Sequence, residues 1–136
     1  TDYTDGRWQG FNGDDLDAVI DLGREIEVQS IRAGFLQQIG SWIMLPTEVT
    51  FFVSKDGREY ETVATFTIPV PDGDRPASTE TYYSELSGVF ARYVRVLAKN
   101  IGTLPAWHPG AGGLAWIFAD EIQINPHFDR EKLELQ

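Results

Sequence analysis

"EVTFFVSKDGREYETVATFTI", residues 48–68, decides the fold class. Val49, Phe51 and Val53 share one face, because successive side chains of an extended chain point to opposite sides. A helical period of 3.6 residues does not fit that spacing. "KDGRE" at 55–59 then supplies Asp-Gly, a pair that tolerates the positive φ angles of a tight hairpin turn. "YETVATFTI" at 60–68 resumes a β-branched and aromatic run. Strand, turn and strand read as a hairpin.

Outward from this hairpin the same grammar repeats. "DAVIDL" at 17–22, "IEVQSIRAGFL" at 26–36, "TETYYSEL" at 79–86, "ARYVRVLA" at 91–98 and "AWIFADEIQI" at 115–124 are further strand candidates. In the run 26–36 the apolar parity switches between Val28 and Ile31, which predicts a bulge or bend. "PVPDGDRP" at 69–76 reads as a loop. Seven short strands separated by such turns predict an all-β domain, a β-sandwich or jelly roll.

The 136 residues suit one domain over 1–125, followed by a charged tail or linker over 126–136. A net charge of −10 disfavours nucleic acid and anionic lipid surfaces, which are held by clustered Lys and Arg. No apolar run is long enough for membrane insertion. The chain has no cysteine, which excludes disulfides, thiolate metal sites and cysteine nucleophiles. No Gly-x-Ser-x-Gly elbow, His-Glu-x-x-His helix or phosphate-cradling loop is present, and no motif fixes a glycosidase pair of carboxylates. The expectation is a non-enzymatic module.

Several segments occur together in the order found in a known family. "WQGF…DLDAVIDLG" at 8–23, "VSKDGREYETV" at 53–63, "ARYVRV" at 91–96 and "DEIQI" at 120–124 resemble the coagulation factor V/VIII type C, or discoidin-like, superfamily. Residues 35–46 and 107–122 are similar to the C-terminal modules of bacterial β-N-acetylhexosaminidases of the chitobiase type, relatives of family 32 carbohydrate-binding modules. The resemblance implies a discoidin-like jelly-roll sandwich, the usual first strand missing from this chain. It also implies an accessory module of a secreted or surface glycoside hydrolase, extracellular, periplasmic or at the cell surface, with a linked catalytic domain and a glycan as partners. The other reading is a structural or interaction domain that packs on the catalytic domain. Relatives hold a structural calcium with an early loop and a carboxylate matched by Glu121. That early loop is missing here, so no cofactor is required and the calcium is doubtful.

"NIGTLPAWHPGAGGLAWIFADEI" at 100–122 is the candidate site. A sugar needs an aromatic face for its C–H side and convergent polar groups for its hydroxyls. Loops 7–17, 37–46 and 100–116 are expected to converge. Trp107 and His108, stiffened between Pro105 and Pro109, lead the candidates. Alternatively Trp107 pins its loop to the sandwich and His108 satisfies a backbone carbonyl. Trp42 is a second stacking candidate. Trp116 is either a stacking ring or a core residue sharing parity with Phe118 and Ile122, and core is favoured. Gln37 and Gln38 offer amides that donate and accept, and Asn12 and Asp15 complete the candidate set. Asp14, Asp15 and Asp17 read as a solvated loop, a cation site or hydroxyl acceptors. Trp8 is expected in the core, and Asp120 is expected to be buried against Arg92 or Arg95. Galactose-binding relatives carry arginine and asparagine where this chain reads "LQQIGSW", so the sugar is open.

Overall fold

The computed structural model describes residues 3–125, with side chains from residue 11 onward. The expectations for Trp8 and for the 126–136 tail lie outside what is described. Eight strands follow in order: β1 (Tyr3–Asn12), β2 (Leu16–Glu27), β3 (Ser30–Gln37), β4 (Glu48–Ser54), β5 (Glu61–Thr67), β6 (Ser78–Glu85), β7 (Phe90–Lys99) and β8 (Trp116–Ile124). They form two four-stranded sheets, ordered β1-β8-β3-β6 and β2-β7-β4-β5. All six strand pairings are antiparallel. The all-β sandwich read from the sequence is the observed fold.

Alternation builds the core. Val49, Phe51 and Val53 of β4 meet Val94, Val96 and Ala98 of β7 within one sheet, and Ile31, Ala33 and Phe35 of β3 oppose them from the other. Full burial of such side chains contributes about 1.5–3 kcal/mol each. The predicted hairpin turn is present: Asp56 Oδ1 accepts from Arg58 N (2.8 Å) and Glu59 N (3.0 Å), and Gly57 takes φ 77°.

The structure corrects four expectations. Residues 3–12 are strand β1 rather than part of a 7–17 loop, so that loop shrinks to residues 13–15. The run 26–36 is neither bulged nor bent within one strand. Its first residues end β2 in one sheet and the rest form β3 in the other, so the parity switch marks the crossing between sheets. In β8 the buried residues are Ile117, Ala119, Ile122 and Ile124. A register shift near Asp120 reverses the face, so Trp116 and Phe118 stand outside the core with rings stacked at 5.7 Å. Finally, Arg92 and Arg95 do not serve Asp120. Arg92 pairs with Asp21 (2.8 Å) and Arg95 with Asp17 (2.7 Å) across β2 and β7.

These pairs predict a pH response. The Arg92 guanidinium and the Gly23 N–H hold the Asp21 carboxyl down from 3.8 to about 2, and hydrogen bonding to Arg95 lowers Asp17. A carboxyl depressed in the folded state stabilises above its unfolded pKa, and that stability is lost as pH falls through the folded value. The Asp21 contribution is therefore expected to be constant above pH 4 and to fade towards pH 2. Thermal unfolding of wild type and Asp21→Asn checks this: their difference in Tm should narrow only below pH 4.

Candidate functional site

The cleft forms at the end of the sandwich where β3, β5 and β7 finish and β4, β6 and β8 begin. Residues 100–115 connect β7 to β8 and fold on themselves rather than hang free. Leu104 N donates to Gly113 O (2.8 Å), Ala115 N to Gly102 O (3.0 Å) and Ala111 N to His108 O (3.0 Å). Leu104 and Ala115 are buried with Ile39 and Met44 in a small second core, on which Trp107 packs. Its root is Asn100, whose Nδ2 donates to Phe11 O, Asp14 O and Ala115 O while Oδ1 accepts from Gly102 N. Asn100 was not anticipated. Its signal in the sequence is faint: an amide just after a strand and two residues before a glycine that takes φ 91°.

Trp42 stands opposite this loop. It closes the short 3-10 helix Ile39–Ser41 in the left-handed conformation, φ 66° and ψ 18°, which a bulky residue rarely adopts. Its own N–H donates to Ile39 O (2.9 Å), and its carbonyl accepts from Trp116 N (2.9 Å), so both sides of the strained residue are fixed. The indole lies on a floor of glycine. A Cβ at Gly110 would fall 2.6 Å from Trp42 Cζ2, and one at Gly113 would fall 2.8 Å from Cζ3. The residue as a whole is 41% exposed.

His108 joins the two sides. It is 5% exposed, and its Nδ1 accepts from Gly110 N (2.8 Å), so the ring hydrogen sits on Nε2 and donates to Ile39 O (2.7 Å). Both ring nitrogens are thus spent on backbone. The Trp42 ring meets the His108 ring edge-on at 6.2 Å, and the Trp107 ring lies 5.9 Å from it. Trp107 is half-buried, and its Nε1–H donates to Pro71 O (2.9 Å), tying the 100–115 loop to the β5–β6 loop.

These side chains line one cleft of about 420 Å³ together with Gly73 and Asp74. The volume falls in the ordinary range for small-molecule sites. Of the residues expected from the sequence, Trp107, His108 and Trp42 are brought together. The others are not. Gln37 lines a separate groove, and Gln38 is exposed outside the cleft. Trp116 stacks on Phe118, on the outer face of its sheet. Asn12 is exposed where β1 pairs with Trp116, and Asp15 Oδ1 accepts from Asn100 N (2.8 Å). Asp17 belongs to β2 and its ion pair, so the acidic trio does not act as one loop. Gly73 and Asp74 were missed, because "PVPDGDRP" shows a loop without showing which face it closes.

Glu121 lies on β8, hydrogen-bonded along its own strand. Its Oε2 accepts from Gln123 Nε2 (2.9 Å), and no group of three or more His, Asp or Glu converges among the described residues. No described helix is long and apolar enough to cross a membrane.

The molecule is thus a two-sheet sandwich carrying a loop-built aromatic cleft at one end. The chain belongs to the F5/8 type C domain family, whose profile matches residues 1–117. As such a domain it has a non-catalytic fold. Among solved structures, CpGH89CBM32-6 from Clostridium perfringens aligns with a TM-score of 0.53 at 17% identity, over 85% of this chain and 74% of its own. The C-terminal domain of a chitobiase from Bacteroides fragilis aligns at 0.48 and 22% identity, over 82% of this chain and 62% of its own. CpGH89CBM32-5 from Clostridium perfringens, solved with GalNAc-β-1,3-galactose, aligns at 0.48 and 19% identity, over 79% and 63%. The chain thus spans less than two thirds of these last two. No curated protein matches it.

Proposed function

We propose that this chain is a carbohydrate-binding module and that a neutral glycan ring stacks on Trp42 in the cleft shared with Trp107. One observation carries the reading: a tryptophan held at φ 66° on a glycine floor, 41% exposed and lining one cleft with a second tryptophan. Strained residues persist where the surroundings over-determine them, and such places are often functional. A ring fixed in this way has little rotamer freedom left to lose on binding. Asp74 and the loop backbone are placed to read hydroxyls, and His108 braces the two walls from behind. Membership of the F5/8 type C family supports the same reading.

In the parent protein the module is an accessory to a secreted or surface glycoside hydrolase. It raises the effective concentration of the catalytic domain at its glycan. The test is titration of the chain with galactose, N-acetylglucosamine, N-acetylgalactosamine and their β-linked disaccharides, followed by tryptophan fluorescence and amide NMR shifts. Saturable shifts confined to residues 39–42, 73–74 and 107–110 are expected. A panel that shifts nothing at millimolar concentration sinks the reading and leaves a domain that packs on a neighbour.

A further inference from the structure

We propose that the groove on the other side of the 68–77 loop is a second glycan subsite, so that the ligand is an oligosaccharide of at least two rings. The proposal rests on the reading of the cleft as a glycan site. Its starting point is Gln37. Ile31, Ala33, Phe35 and Gln37 occupy the inward face of β3, and the last of these inward positions is a glutamine that is only 6% exposed as a residue. Its side chain makes no hydrogen bond to any described residue, although each amide can both donate and accept. An amide left free by the chain bonds water where water reaches it, and a ligand hydroxyl can take that water's place.

The amide is not sealed away. Arg32 Nε is the one enclosed side-chain nitrogen or oxygen without a partner among the described residues. Gln37 instead opens onto a groove of about 670 Å³ that it lines with Leu45, Ile68, Pro71, Ser78 and Tyr82. Apolar walls with a few fixed polar groups are the usual make-up of a small-molecule site. The Tyr82 ring is wedged against Phe35 (6.0 Å) and Phe66 (5.6 Å), which fixes the direction of its hydroxyl.

Groove and cleft are neighbours. Gly73 and Asp74 face the cleft, whereas Asp72 and Arg75 of the same turn face the groove. Gln37 in the groove is two residues from Ile39 in the cleft, a chain distance of at most ~7 Å. On this proposal a glycan with one ring on Trp42 carries its next ring across the 72–75 turn that the two sites share.

The test compares N-acetylglucosamine and galactose with their β-linked di- and trisaccharides on three proteins: wild type, Gln37→Leu and Trp42→Ala. Wild type is expected to bind the preferred oligosaccharide about 10-fold more tightly than its monosaccharide. Gln37→Leu should lose that gain while keeping the monosaccharide affinity and an unchanged Tm, because the Gln37 amide bonds no other described side chain or backbone group and opens to solvent. A purely structural Gln37 would show the reverse, a lower Tm with the chain-length gain intact, and that result overturns the subsite. Equal affinity for short and long glycans also overturns it while the cleft reading stands. Absence of all glycan binding by wild type removes both.

Discussion

Trp42→Ala is expected to weaken glycan binding by about 30-fold or more, to the point where no saturation is reached at millimolar sugar. That factor corresponds to about 2 kcal/mol, the loss usual for a central aromatic anchor. The fold should survive, because Trp42 is 41% exposed and lies outside both core clusters. The stability cost is expected to be about 1–2 kcal/mol from the part of the ring that is packed. Gly110→Ala is the sharper companion variant. It keeps the indole but puts a methyl group where the ring now lies, 2.6 Å from Cζ2. If the position of the ring matters rather than its presence, this variant loses most of the affinity as well. Isothermal titration on both proteins decides the matter, and unchanged affinity in Trp42→Ala would remove Trp42 from the site.

His108→Ala is expected to act on stability first. The substitution orphans Ile39 O and Gly110 N, which His108 Nε2 and Nδ1 now satisfy at 2.7 and 2.8 Å. Two bonds lost at a buried position cost about 2–4 kcal/mol, or roughly 10 °C in Tm. Affinity should fall as a consequence, since the 3-10 helix and the 107–110 turn lose their brace. Differential scanning calorimetry separates this from direct contact. Lost binding with an unaltered Tm would make His108 a ligand residue after all.

The sandwich was legible because alternation is a local property. β4 and β7 carry it in full view, and Asp56-Gly57 marks the turn that follows β4. β1 was not legible: "YTDGRWQGFN" has two glycines and no clean alternation, and it becomes a strand by pairing with β8. Nor could parity alone separate a bulge from the passage between sheets at Val28–Ile31, since both flip the side chains in the same way. In the site, the pairing of Pro and aromatic residues pointed to Trp107 and His108. The direction each ring nitrogen takes depends on Ile39 and Gly110, and only the folded chain brings Ile39 there. Trp42 ranked lower because its exposure rests on glycines 68 and 71 positions further along.

The pairing of Tyr3 with Ile124 places the two ends of the described sandwich side by side. Trp116, where β8 begins, is bridged to Ile43 beside the cleft, so those ends lie at the opposite pole. Paired strands stand only about 5 Å apart. Chain that enters β1 or leaves β8 therefore does so at the pole facing away from the aromatic rings, where it cannot screen them from a ligand.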